Sequence, residues 1–271
     1  MTSPPLITLT YGQGSGSAAR VLRTYVTEAR YECIKMLRMP GFALPTILFP
    51  LLFYVLFGLL FGASRSAGQT TMATYLLATY GVFGVVGTAL FGFGVGVAAE
   101  RGQGWMMVKR ASPMPPLAYF TAKMAMSLLF SIVLVSLLFA LGFMFGGVRF
   151  SGAQWLALGA VLILGALPFC AMGLALGYLA GPNSAPAVVN LIYLPMAFLS
   201  GLWIPVEFLP NVVQAMAPWL PPFHLAQLAL SMVGAASGSA PSHVIALAAF
   251  TMLFLGLALL AMRRDEGKTY G

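Results

Sequence analysis

Histidine, cysteine and carboxylate side chains carry most acid–base, nucleophilic and metal chemistry, and this chain is poor in all three. Its 271 residues include two histidines (His224, His243), two cysteines (Cys33, Cys170) and six acids: Glu28, Glu32, Glu100, Glu207, Asp265 and Glu266. Neither histidine has a Cys, Asp or Glu at metal-ligand spacing, which leaves both to structural or solvated roles. No serine stands in a Gly-x-Ser-x-Gly turn. Gly92-Phe93-Gly94-Val95-Gly96 has the glycines of a phosphate loop, but it lies in an apolar run and lacks a Gly-Lys-Ser/Thr sequence. Together with Gly81, Gly84 and Gly87, these glycines suit close approach of neighbouring helices. No catalytic residue and no metal ligand is therefore expected, and the chain reads as a non-enzyme.

The richest polar chemistry between the two ends lies in one stretch, Glu100-Arg101-Gly102-Gln103-Gly104-Trp105-Met106-Met107-Val108-Lys109-Arg110-Ala111-Ser112-Pro113. Trp105, Met106, Met107 and Val108 offer an apolar contact, rimmed by Arg101, Lys109 and Arg110. A short surface helix with an aromatic anchor and a basic rim suits a docking knob.

What positions this stretch is a membrane-spanning chain. Sixty per cent of the residues are hydrophobic and 7% charged, where a water-soluble domain carries about a quarter charged residues. Basic residues cluster at Arg20, Arg23, Arg30, Lys35 and Arg38, at Arg101, Lys109, Arg110 and Lys123, and at Arg263, Arg264 and Lys268, with only Arg65 and Arg149 elsewhere. That segregation is the positive-inside signature of a multi-pass membrane protein. It also explains the net charge of +8 without nucleic acid, because the cations flank apolar spans rather than interleave with aromatics on a polar face.

Charge-free runs place crossings near 42–62, 74–99, 124–146, 154–180, 187–204 and 242–262, each near the roughly 20 residues a spanning helix needs. Gly181-Pro182-Asn183-Ser184-Ala185-Pro186 breaks the fourth run in two. The prolines at 205, 210, 218, 221, 222 and 241 chop residues 205–240 into lengths too short to span, which reads as an external re-entrant helical hairpin. Six crossings put both termini and the 100–123 loop on the cytoplasmic side. A seventh would move Arg263, Arg264 and Lys268 outside, against the charge rule. Residues 1–19 read as a loose tail and 265–271 as a second tail. Between 20 and 40, Leu22, Tyr25, Val26, Ala29, Cys33, Met36 and Leu37 make the apolar face of a basic amphipathic helix lying in the membrane interface. The first apolar run is late and long, so no cleaved leader is expected. A Cys33–Cys170 disulfide is not expected either. The fold class is thus all-α integral membrane, with a six-helix permease domain over 41–264.

No acid falls mid-run, which argues against a proton-driven pump. Energy for uphill transport would have to enter from another chain. Sodium coupling through carbonyls and hydroxyls stays open, as do an ATP-independent carrier or channel and a non-transporting scaffold.

Two groups of residues resemble the membrane permeases of type-two ATP-binding-cassette exporters. Glu100-Arg101, Ser112-Pro113 and Lys123 follow the order of that family's cytoplasmic loop, although its Glu-x-Gly-Thr-Leu continuation is here Gly102-Gln103-Gly104-Trp105-Met106. Ser200-Gly201-Leu202-Trp203-Ile204-Pro205, Leu209-Pro210 and Trp219-Leu220-Pro221-Pro222-Phe223-His224 are similar to its fifth-span exit and external helices. The resemblance, over residues 20–264, implies a bacterial inner-membrane dimer, with itself or a similar permease, surrounded by lipid and carrying two cytoplasmic ATPase subunits. Those subunits would bind the ATP and Mg; this chain would hold no cofactor. Coupling would fall to Glu100, Arg101, Trp105, Met106, Lys109 and Arg110. A pathway for a hydrophobic or amphipathic cargo (drug, lipid or glycan-linked) would be lined by Tyr80, Phe83, Asn190, Tyr193 and Phe198.

Overall fold

The computed structural model describes residues 18–62, 66–67, 70–112, 114–235 and 239–270. Most of the expected loose tail, together with Arg65, lies outside them. The described chain is helical apart from a two-residue ladder that pairs β1 (Ser66–Ala67) antiparallel with β2 (Thr70–Thr71). Five helical stretches are long and apolar enough to cross a membrane: Ala43–Leu60, Met72–Gly102, Leu117–Met144, Gly152–Leu179 and Ala240–Asp265.

Helix α1 (Ala18–Leu37) leads through Met39 into α2 (Pro40–Phe53), which continues as a π-helical turn over Tyr54–Leu60. Pro40 at the first turn suits a helix start, because its missing N–H has no partner to lose there. Helix α3 (Met72–Ala89) passes through a second π-helical turn, Leu90–Val95, into α4 (Gly96–Gly102). Thr71 caps α3 by accepting from the Thr74 N–H at 3.2 Å. Helices α5 (Trp105–Ala111) and α6 (Pro116–Met144) follow. Because α6 starts at Pro116, Lys123 stands two turns inside a helix rather than at its start.

Residues 152–179 are divided. Helix α7 (Gly152–Leu164) ends at Gly165-Ala166, and α8 (Leu167–Leu179) begins with Pro168 in its first turn. Gly165 is bare for a packing reason: a Cβ there would lie 2.2 Å from Leu225 Cδ1. Helix α9 (Ala185–Leu199) is shorter, about 22 Å at 1.5 Å per residue. Two short helices follow, α10 (Asn211–Met216) and α11 (Pro221–Met232), meeting at the proline cluster as the sequence suggested. Helix α12 (Ala240–Tyr270) closes the chain and stays helical beyond its charged end.

The α3–α4 stretch is the axis of the bundle. In its most apolar 18-residue segment 78% of the residues are buried, against 17% in the corresponding segments of the α2 and α12 spans. Lipid tails are as apolar as leucine, so packing rather than hydrophobic transfer holds such helices together, and small residues set how close they come. Gly81, Gly84 and Gly87 seat Leu162, Leu134 and the Tyr193 hydroxyl, and Gly173 of α8 abuts the Ala89 carbonyl of α3. A buried hydrogen bond of 2.9 Å joins Thr88 of α3 to Ser131 of α6.

Polar contacts mark the two ends. At one end Lys35 and Lys123 meet Glu100, and Arg101 reaches the C-terminus of α8 and Asp265 of α12. At the other, the Tyr75 hydroxyl donates to the Gly201 carbonyl at 3.1 Å, and α11 meets the start of α12. Helix α9 runs from the first end to the second.

Candidate functional site

The expected docking stretch folds as an elbow. Helix α4 ends at Gly102, Gln103-Gly104 turns the chain, and α5 leads away. Gly104 holds φ at 76°, a left-handed conformation that a side chain would strain. The elbow presents Trp105, Met107 and Val108 outward, each more than half exposed. Met106 turns inward onto the main core. The Arg110 side chain lies outside the described residues.

Two ion pairs staple the elbow to its neighbours. Lys109 pairs with Glu28 of α1, and its ammonium sits 4.4 Å from the Tyr119 ring centroid. The Arg101 guanidinium grips the Asp265 carboxylate of α12 through Nε and Nη2. Its Nη1 donates to the carbonyls of Gly177 at 2.7 Å and Tyr178 at 3.1 Å, satisfying acceptors that the end of α8 leaves open. One arginine thus binds the ends of α4, α8 and α12.

Beneath the elbow lies a cluster of four charges that the sequence did not announce. Lys123, fully buried, donates to Glu32 at 2.7 Å and Glu100 at 3.1 Å. Lys35 donates to both of the same carboxylates, at 2.7 Å to Glu32. The Tyr119 hydroxyl donates to the other Glu100 oxygen at 2.6 Å. The two acids and two bases balance, as buried charges must. Burial alone would lower the Lys35 pKa, but the charges of Glu100 and Glu32 and their hydrogen bonds outweigh it, so its ammonium titrates above the usual lysine range.

Glu100 therefore faces inward rather than onto the exposed face of the elbow, and Lys123 is more than a marker of topology. Glu28, Glu32, Lys35, Tyr119, Lys123 and Asp265 belong to the site although the sequence reading gave them no role there. One signal was present: a lysine inside an apolar helix needs a buried acid. Helix α1 adds two acids beside its expected apolar face. Its protein-facing stripe carries Glu28 and Glu32 beside Tyr25, Ala29, Cys33 and Met36, whereas Leu22, Val26 and Leu37 of the expected apolar face are at least 60% exposed.

The five expected pathway residues divide around a groove of about 870 Å3 between α2, the α3–α4 stretch and α9. Phe83, Asn190 and Tyr193 line it. Tyr80 is fully buried beside it, 6.4 Å from the Phe83 centroid, and Phe198 packs 6.1 Å from Trp203. The Phe83 and Tyr193 rings stack at 4.9 Å, and the Tyr193 hydroxyl donates to the Phe83 carbonyl at 2.7 Å. Gly87 makes room for that hydroxyl: a Cβ there would lie 2.8 Å from it. Both outer walls carry prolines inside helices, Pro45 and Pro50 in α2 and Pro195 in α9. Such prolines remove backbone hydrogen bonds and loosen a helix locally. The π-helical turn at Leu90–Val95 adds Phe91 and Val95 to the third wall. Aromatic and aliphatic walls with few polar groups suit an apolar or amphipathic ligand.

The histidines pair at the opposite end. Nδ1 of His224 lies 2.9 Å from Nδ1 of His243, and Nε2 of His224 lies 2.9 Å from the Pro218 carbonyl. Their separation in sequence carried no hint of this. Cys33 and Cys170 are free thiols.

Residues 25–234 match the family model described as ABC-2 type transporter. The Bacillus subtilis (strain 168) protein "Putative transport permease YvfS" is 28% identical over 237 residues, spanning 87% of this chain and 95% of that protein.

Proposed function

The chain belongs to the ABC-2 type transporter family, and on that premise we propose that it is the membrane permease of an ATP-driven exporter of hydrophobic or amphipathic molecules. It lies in the bacterial cytoplasmic membrane as a dimer, with itself or a similar permease, and two cytoplasmic ATPase subunits bind ATP and Mg for it. Its basic end, with both termini, faces the cytoplasm in accord with the positive-inside rule. Helix α9 is the fifth of six crossings, completed by the irregular residues that follow it, and residues 205–240 cap the external side.

The observation that carries this reading is the elbow, which exposes Trp105, Met107 and Val108 yet is held on both flanks by ion pairs. An ATPase that grips this knob moves more than a loop. Arg101 carries the displacement to α8 and α12, and Lys109 carries it to α1. The charge cluster at Glu100 carries it to α1 and α6. Helices α6 and α8 pack along the α3–α4 stretch, which forms a wall of the groove, α1 meets its α4 end, and α12 packs on α8. Closure of two ATPases on ATP binding would in this way reshape the groove between the two copies and drive cargo outward. The permease supplies shape and leverage, and hydrolysis belongs to the partner.

The test is reconstitution of the permease with its ATPase in vesicles, followed by flux of a fluorescent amphiphile. Flux that requires ATP supports the reading. Equal flux in ATP-free vesicles lacking the ATPase would sink it in favour of a secondary carrier.

A further inference from the structure

The groove has a polarity along its length. At the basic end its lining includes Arg38, Thr46 and Asn190, and toward the middle of the bundle Phe49, Phe83 and Leu194. Arg38 is the only charged residue among the lining side chains. It is exposed, and the described acids at its end of the molecule are engaged elsewhere. Glu28 pairs with Lys109, Glu32 and Glu100 with Lys35 and Lys123, and Asp265 with Arg101. Among the described residues nothing of opposite charge answers Arg38.

The depth is also informative. From Val95 to Phe83 the helical wall rises about 18 Å, close to the ~15 Å depth of one leaflet of hydrocarbon. Resting on the proposed role of the groove as cargo pathway, we propose that its cargo is an amphiphile with an anionic head. Arg38 holds the head at the basic-end mouth, with Asn190 as a hydrogen-bonding neighbour. The apolar body, one leaflet deep, lies along Phe49, Phe83 and Leu194. The head is a phosphate or a carboxylate, since a guanidinium pairs with either through two parallel N–H bonds.

The experiment uses the full chain in zwitterionic lipid nanodiscs, with Cys33→Ala and Cys170→Ala removing the native thiols and Leu194→Cys reporting on the groove. Maleimide labelling of that cysteine is titrated against dodecyl phosphate, dodecanoate, dodecyltrimethylammonium and a neutral dodecyl glycoside. One or both anions should protect at about tenfold lower concentration than the cation and the glycoside, the factor that ~1.4 kcal/mol of charge-assisted hydrogen bonding carries. Arg38→Gln should erase that difference and Arg38→Lys should keep most of it. Whichever anion protects at lower concentration identifies the head. Equal protection by all four amphiphiles, or an anion preference that survives Arg38→Gln, would overturn the proposal and leave the groove as the pathway. Protection by none of them would overturn the pathway reading itself.

Discussion

Replacing Lys123 with methionine separates structural leverage from incidental charge. Lys123 is fully buried and its ammonium serves two carboxylates, Glu32 at 2.7 Å and Glu100 at 3.1 Å. Methionine keeps most of the volume and removes the charge, which leaves two largely buried carboxylates facing Lys35 alone. Breaking a buried ion pair costs about 3–5 kcal/mol. Lys35 reaches both acids, so the expected loss is at the low end, about 3 kcal/mol. On the scale of soluble domains of similar length, that is about 6–12 °C in melting temperature. Adding Glu100→Gln restores the charge balance and should recover roughly half the loss, a positive coupling in a double-mutant cycle. Thermal unfolding in lipid nanodiscs gives the melting temperatures, and hydrogen exchange should show α1 losing protection first. A Lys123→Met protein that melts within about 1 °C of the parent, the behaviour of a surface pair, would refute the account of the cluster as the anchor of α1.

Arg101→Lys keeps the charge but cannot bridge Asp265 twice while also capping α8, so trypsin cleavage at the exposed Arg263 and Arg264 should accelerate; an unchanged rate would contradict the staple. A Cβ at Gly173 would meet the Ala89 carbonyl at 3.0 Å and the Gly94 nitrogen at 3.2 Å. Gly173→Val should therefore cost about 1–3 kcal/mol in overpacking and lower the melting temperature, while Gly159→Val, with only ordinary contacts to Phe139, should be nearly silent. Burial, with a further push from His243 against the opposing Pro218 hydrogen bond, lowers the His224 pKa. Because the fold favours its neutral form, the stability it contributes is complete above the ordinary histidine range, near pH 6.5, and is lost as pH falls through the lowered value. Amide protection in α11, corrected for the intrinsic pH dependence of exchange, should fall on acidification and show no such step in His224→Gln; protection that falls as pH rises would contradict this.

The five membrane-length stretches were legible because each is built on a charge-free run bounded by cations or a Gly-Pro break. Met72–Gly102 and Gly152–Leu179 lie within a few residues of the expected 74–99 and 154–180. The proline-chopped region was legible for the same local reason, since Pro218, Pro221 and Pro222 cannot continue a helix. The division at Gly165-Ala166 had a local sign in Pro168, which suits a helix start, but the close approach of Leu225 to Gly165 is visible only in the fold. The charge cluster was hidden for a related reason: Lys123, Glu100 and Glu32 come from three separate stretches, and only folding brings them within hydrogen-bonding distance. A helical-wheel reading of α1 followed its apolar residues. The protein side of that helix also carries two carboxylates, Glu28 and Glu32, whose cation partners come from other helices. Trp105 was identified as an exposed anchor because an aromatic beside a Gly-rich turn stands out locally. Arg101 was expected to rim the same surface, yet it turns inward to the carbonyls ending α8, a partner that only the tertiary structure reveals.

The central claim is that a partner ATPase grips the elbow. Photo-crosslinking amino acids placed at Trp105 and Val108, with the exposed Leu156 of α7 as a control, test it in the transport-competent complex. The account predicts crosslinks to the ATPase from 105 and 108 and none from 156. An active complex in which neither elbow position reaches the ATPase would contradict it.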